Sequence, residues 1–116
     1  TACNRKIAEL KQKYDKGVVR ACFTLSKLYG DGLKVEKNVI ESRKRLSLGL
    51  VGGAERCLEE DHALSCHVLA AQYFRGSPYG LAKNDQKAKT YFKIGCTLGE
   101  QRSCAMLRQI KKSAKK

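Results

Sequence analysis

The sequence predicts an all-α chain whose helix pairs stack as a short α/α solenoid stapled by disulfides. Three observations carry that expectation: apolar residues recur at helical spacing, no stretch alternates cleanly enough for a strand, and one block of sequence returns at a fixed offset. Cys22 is answered by Cys66, Leu25 by Leu69, Ser26 by Ala70, Tyr29 by Tyr73 and Gly32 by Gly76, all at an offset of 44. Beyond these glycines the offset becomes 46, with the two extra residues around Ser77 and Pro78. Lys37-Asn38 then answers Lys83-Asn84, Gly49 answers Gly95, and Gly53 answers Gly99.

Taken in order, residues 1–16 read as a leading helix with Cys3, Ile7, Leu10 and Tyr14 on one face. Residues 17–60 form the first repeat. Val18, Cys22, Leu25 and Tyr29 make the inward stripe of its first helix, which Gly30 and Gly32 stop. Asn38 caps the second helix, and Glu41 three residues on completes a capping-box-like pair. Leu46 and Leu50 carry that helix to Gly52-Gly53, where it is expected to end. Residues 61–100 repeat the plan, with helices from about Asp61 to Phe74 and from Asn84 to about Leu98, and with Ala88, Tyr91 and Phe92 inward. The small residues Ser26, Ser42, Ala70 and Ala88 let helix axes approach. A third copy opens at Ser103-Cys104 with Leu107, then places Arg108 and Lys111 where the small residue and the Tyr stood. Residues 101–112 thus read as a capping helix with a polar outer face, followed by a basic tail at 113–116.

At 116 residues the length fits one domain. No apolar run approaches the roughly 20 residues of a membrane helix, so no membrane insertion is expected. Opening at Thr1, without Met or an apolar targeting stretch, reads as a processed or excised form. Six cysteines without a C-x-x-C pair point to disulfides and an oxidising compartment, periplasmic or secreted, rather than to a zinc ribbon.

The Leu-x-x-x-Tyr-x-x-Gly run, the Lys-Asn pair, and Lys87-Ala88, Tyr91-Phe92, Cys96 and Gly99 resemble the Sel-one-like repeat, a relative of the tetratricopeptide repeat. Cysteines near the end of one repeat and the start of the next resemble its cysteine-rich bacterial branch, the Helicobacter cysteine-rich protein type. The likeness spans about residues 18 to 108. Ser42 stands where the family has Ala, eight extra residues lie between Gly53 and Cys66, and Cys3 is far from Cys22. The resemblance implies antiparallel helix pairs in a right-handed superhelix, secretion or periplasmic residence, and protein binding on the concave face.

Six cysteines allow 15 connectivities. Only their position across successive repeat junctions selects Cys96 with Cys104 and Cys57 with Cys66, which leaves Cys3 with Cys22. A metal site using Cys57, His62, Cys66 and His67 would need Cys66 free of that pairing, so no metal and no cofactor is expected. Some cysteine-rich relatives carry a penicillin-hydrolase label, which makes a weak hydrolase of β-lactam or peptidoglycan-like ligands the alternative function. Yet the one S-x-x-K is Ser113 to Lys116, and the S-D-N and K-T-G partners of a serine β-lactamase are absent, so no catalytic residue is expected.

The net charge is +13, from 24 Lys and Arg against 11 Asp and Glu, which suits an acidic partner. The basic residues cluster at Arg43, Lys44 and Arg45 and again at Arg108, Lys111, Lys112, Lys115 and Lys116. Nucleic acid is disfavoured because no aromatic residues interleave with these clusters and no groove-reading motif is present. The expected function is a binding module for an acidic protein, with an inhibitor or immunity protein against a toxin or cell-wall enzyme as its concrete form. The chain would act as a monomer or as one half of a heterocomplex. The expected partner-facing residues are the non-core positions of each pair's first helix: Thr24, Lys27, Val68, Ala71, Gln72, Met106 and Gln109.

Overall fold

The computed structural model describes residues 18–114, with side chains from Val19 to Lys112. The leading helix and the Cys3 half of its expected bridge lie outside the described residues, as do Lys115 and Lys116 of the tail serine motif. Among those described there are five helices and no strand: α1 (Val18–Asp31), α2 (Val39–Glu59), α3 (Ala63–Arg75), α4 (Asp85–Thr97) and α5 (Gln101–Ala114). The chain divides into two compact units, Thr1–Gly52 with Pro78–Gly80, and Gly53–Ser77 with Leu81–Lys116.

The repeat is written into the backbone. The N–H of Asn38 donates to the carbonyl of Tyr29 at 2.9 Å, and that of Asn84 donates to the carbonyl of Tyr73 at 2.7 Å. Each Asn then caps its helix: Asn38 Oδ1 accepts from the N–H of Glu41 at 3.1 Å, and Asn84 Oδ1 from that of Lys87 at 3.0 Å. The capping box is only half made, because the Asn38 N–H is taken by Tyr29 and Glu41 turns to Arg45 instead. Gly32 and Gly76 sit at equivalent turns with φ of 72° each, a conformation that suits a residue without a Cβ. The two extra residues of the second copy belong to a small turn closed by Ser77 and Leu81, whose backbones exchange bonds of 2.8 and 3.1 Å around Pro78–Gly80.

In the first unit the buried face of α1 is Val19, Cys22, Phe23 and Ser26. This corrects the expected stripe, since Leu25 and Tyr29 are only half-buried. Phe23 is inward because Gly49 on α2 has no side chain to exclude its ring. The pair Ser26 and Ser42 sets another close approach, with Ser42 Oγ donating to the Ser26 carbonyl at 2.6 Å. Tyr79 lies against Gly30, and its hydroxyl donates to Asp31, which raises the Tyr79 pKa.

The expectation that α2 ends at Gly52-Gly53 is also corrected. It runs on to Glu59, and the chain turns at Asp61 with φ of 51° while the His62 N–H donates back to the Arg56 carbonyl at 3.1 Å. A helical glycine costs about 1 kcal/mol relative to Ala, which packing offsets here, since both glycines are buried. The eight extra residues before Cys66 are therefore helix, the difference between the 21 residues of α2 and the 13 of α4. In the second unit α3 packs on α4 and α4 on α5 around Ala70, Ala88, Phe92 and Ile110.

Disulfides join Cys57 to Cys66 with Cα atoms 4.8 Å apart, and Cys96 to Cys104 at 4.7 Å, both as expected. Cys22 is also disulfide-bonded. Cys57 and Cys96 each lie within two residues of their helix's last residue, so the bridge tracks the helix end rather than the glycine frame.

Candidate binding surface

α5 is strongly two-faced. Ser103 and Ile110 are buried, and Met106 and Leu107 pack half-buried against the second unit's core. The opposite face carries Gln101, Arg102, Ala105, Arg108, Gln109 and Lys112, all exposed and all at helical spacing. Glu100 sits at the helix entrance, where its carbonyl accepts from the N–H groups of Ser103 and Cys104 and its carboxylate from that of Arg102. The same carboxylate takes the Arg102 guanidinium at 2.9 and 3.2 Å, which lowers the Glu100 pKa and raises that of Arg102. Negative charge at a helix start also suits the macrodipole. Among the described residues no carboxylate lies in ion-pair reach of Arg108, Lys111 or Lys112. Lys111 and Lys112 occupy the last turn, where the helix dipole favours cations, so part of this charge is structural.

The expected partner-facing residues scatter. Thr24 and Lys27 are exposed on α1 in the first unit. In the second unit Gln109 is exposed, Gln72 is half-buried, and Ala71 and Met106 come together against the core cluster. Val68 is a core residue at 9% exposure and offers no open surface. The basic run also splits. Arg43 and Lys44 point outward, but Arg45 folds down to Glu41 at 3.0 Å and lies 5.6 Å over the Tyr29 ring. A residue one position along a helix turns 100°, so three consecutive cations cannot share one face.

Sequence reasoning missed an aromatic-cation cluster in the second unit. Tyr73 and Tyr91 stack 6.0 Å apart, Lys87 stands 5.2 Å over Tyr73, and Lys83 5.3 Å over Phe74. The signal was Lys83 and Lys87 four residues apart around the Asn84 cap.

The histidines serve helix packing. His62 caps α3, with Nδ1 accepting from the Ser65 N–H at 3.3 Å. His67 Nδ1 is 2.9 Å from Ser103 Oγ, and its ring tilts against Phe92 at 5.5 Å. Ser103 is fully buried, so this His–Ser pair cannot present its hydroxyl to a substrate. The Cys57–Cys66 bridge removes both thiolates from the four-residue metal set considered above. No protein-family model matches the chain, and no curated protein matches it.

Proposed function

We propose that this chain is a protein-binding helical-repeat module of the Sel-one-like kind, working in the periplasm or outside the cell, and that it takes an acidic protein partner. The observation that carries this reading is the outer face of α5, where Arg108 and Lys112 flank the small Ala105 together with the amides of Gln101 and Gln109. Ala105 allows close approach, the amides supply neutral hydrogen bonds, and the cations supply steering and complementary potential. The disulfides suit an oxidising compartment. If the acidic partner is an enzyme, binding here occludes it, which is how an inhibitor or immunity protein works.

A synthetic helical Glu-Ala peptide serves as the acidic probe, with duplex DNA of equal charge as the competitor class. The peptide is expected to bind more tightly at physiological salt, and R108E/K111E/K112E is expected to weaken it at least about tenfold. Tighter binding to DNA, or a triple variant with unchanged peptide affinity, refutes the reading.

A further inference from the structure

The loop between α1 and α2 is closed at its neck. The Leu33 N–H donates to the Leu28 carbonyl at 3.0 Å and the Asn38 N–H to the Tyr29 carbonyl at 2.9 Å. Gly32 lies so close to Lys37 that a Cβ added there would stand 3.0 Å from the Lys37 Cβ. Just past this neck Lys34 turns the chain with φ of 64°. The lobe and the first turn of α2 that follows it belong wholly to the first unit. They carry three of the large apolar side chains left exposed among the described residues: Leu33 at 54%, Val39 at 41% and Ile40 at 79%. A single exposed aliphatic is ordinary, but three within residues 33–40 make a local apolar patch.

Cations stand among these aliphatics. Lys34, Lys37 and Arg43 are exposed, and among the described residues no carboxylate lies in ion-pair reach of any of them. Arg43 follows Ile40 by three residues and Val39 by four, so the helix sets it beside both. Of the carboxylates in residues 33–44, Glu41 is engaged by Arg45 at 3.0 Å and more loosely by Lys44 at 3.9 Å. That leaves Glu36 alone against three unpaired cations. The same stretch has no aromatic residue. Protein interfaces are anchored by Trp, Tyr and Arg seated in pockets, where Leu and Val are under-represented. Exposed aliphatics among unpaired cations instead match an anionic bilayer, whose acyl boundary takes the aliphatics while its acidic headgroups take the charge.

We propose that the α1–α2 lobe docks the protein on the surface of a bilayer that carries acidic phospholipids. Leu33, Val39 and Ile40 enter the boundary between headgroups and acyl chains, and Lys34, Lys37 and Arg43 meet the phosphates. No described helix is long and apolar enough to cross a membrane, and surface docking asks for none. Attachment through one small patch is reversible, since stable anchoring takes a second signal. The inference uses no residue of α5 and goes beyond the acidic protein partner assigned there.

Co-sedimentation of the full chain with vesicles tests it, with circular dichroism of each variant to establish that it is folded. Vesicles of equal parts phosphatidylglycerol and phosphatidylcholine are compared with phosphatidylcholine alone at physiological salt. The mixed vesicles are expected to bind at least about tenfold more tightly. I40S should weaken that binding roughly tenfold, through lost burial of the side chain. K34Q/K37Q should weaken it roughly thirtyfold, because two cations leave the anionic surface. R108Q/K112Q removes the same charge from α5 and should stay within a few-fold of wild type. No preference for the mixed vesicles, wild-type binding by I40S or by K34Q/K37Q, or an R108Q/K112Q loss as large as that of K34Q/K37Q overturns the proposal. K34Q/K37Q should also leave binding of the Glu-Ala peptide unchanged; a loss there makes the lobe a protein-docking site and overturns it too.

Discussion

Gly49 of α2 faces the ring of Phe23 on α1 so closely that a Cβ added to it would stand 2.8 Å from Phe23 Cε1. The ring is 6% exposed and has little room to retreat. Replacing a helical glycine by Ala gains about 1 kcal/mol of propensity, whereas overpacking a core costs about 1–3 kcal/mol. Gly49→Ala is therefore expected to be destabilising by about 1 kcal/mol in urea unfolding, and Phe23→Leu in the same chain should make it neutral or better.

Ser42 stands where the resembled family has Ala, and its hydroxyl bonds both the Ser26 carbonyl and, at 3.2 Å, the Ser26 hydroxyl. All of this is buried. Ser42→Ala is expected to cost about 1 kcal/mol, the net worth of one buried hydrogen bond. Adding Ser26→Ala should cost little more, because the hydroxyl stranded by the first change is removed. A double-mutant cycle by thermal unfolding reads the coupling directly.

Arg45 and Lys44 are neighbours with different work. The Arg45 side chain is 11% exposed between Glu41 and Tyr29, while that of Lys44 is 65% exposed. Arg45→Ala should lower stability by about 1–2 kcal/mol through lost packing on Tyr29 and the loss of its pair with Glu41. Lys44→Ala should fall within about 0.5 kcal/mol of wild type in the same denaturant titration, as exposed substitutions usually do.

The two described bridges differ in protection. Cys57 and Cys66 are 1% and 0% exposed, whereas Cys96 and Cys104 are both half-buried at the turn between α4 and α5. Under a limiting dithiol in native buffer, alkylation mapping should find Cys96 and Cys104 labelled first. Removing either bridge by paired Cys→Ser changes should cost roughly 2–3 kcal/mol, as expected for short closed loops.

Glu100 has a depressed pKa, chiefly because of the Arg102 guanidinium. A lowered folded-state value means that the stabilisation is fully present above the unfolded carboxylate pKa of about 4.3 and is lost as pH falls through the folded value. The pair lies at the surface, so the effect is at most about 1 kcal/mol. Arg102→Met is expected to raise the Glu100 pKa in an NMR titration and to leave the melting temperature less dependent on pH below 5.

Local signals were legible without a structure. Asn38 and Asn84 as caps, the glycine turns, the two extra residues around Ser77, and the pairing of Cys57 with Cys66 and of Cys96 with Cys104 all depend on a few adjacent residues. Those residues settle their own hydrogen bonds and reach. The binding surface was less legible. Of the residues expected to face a partner Val68 is buried, and of the basic run Arg45 is folded away, because helical phase decides which face each reaches.

By itself the sequence determined that the described residues are helical without a strand, where most of those helices start, and which cysteines join at the two described bridges. Only the tertiary structure decided that Phe23 rather than Leu25 turns inward, and that α2 runs through Gly52 and Gly53 to Glu59. The physical reason is the same in both cases. A cap or turn is settled by atoms a few residues apart, but inward choice and helix continuation depend on the space and contacts supplied by a partner helix.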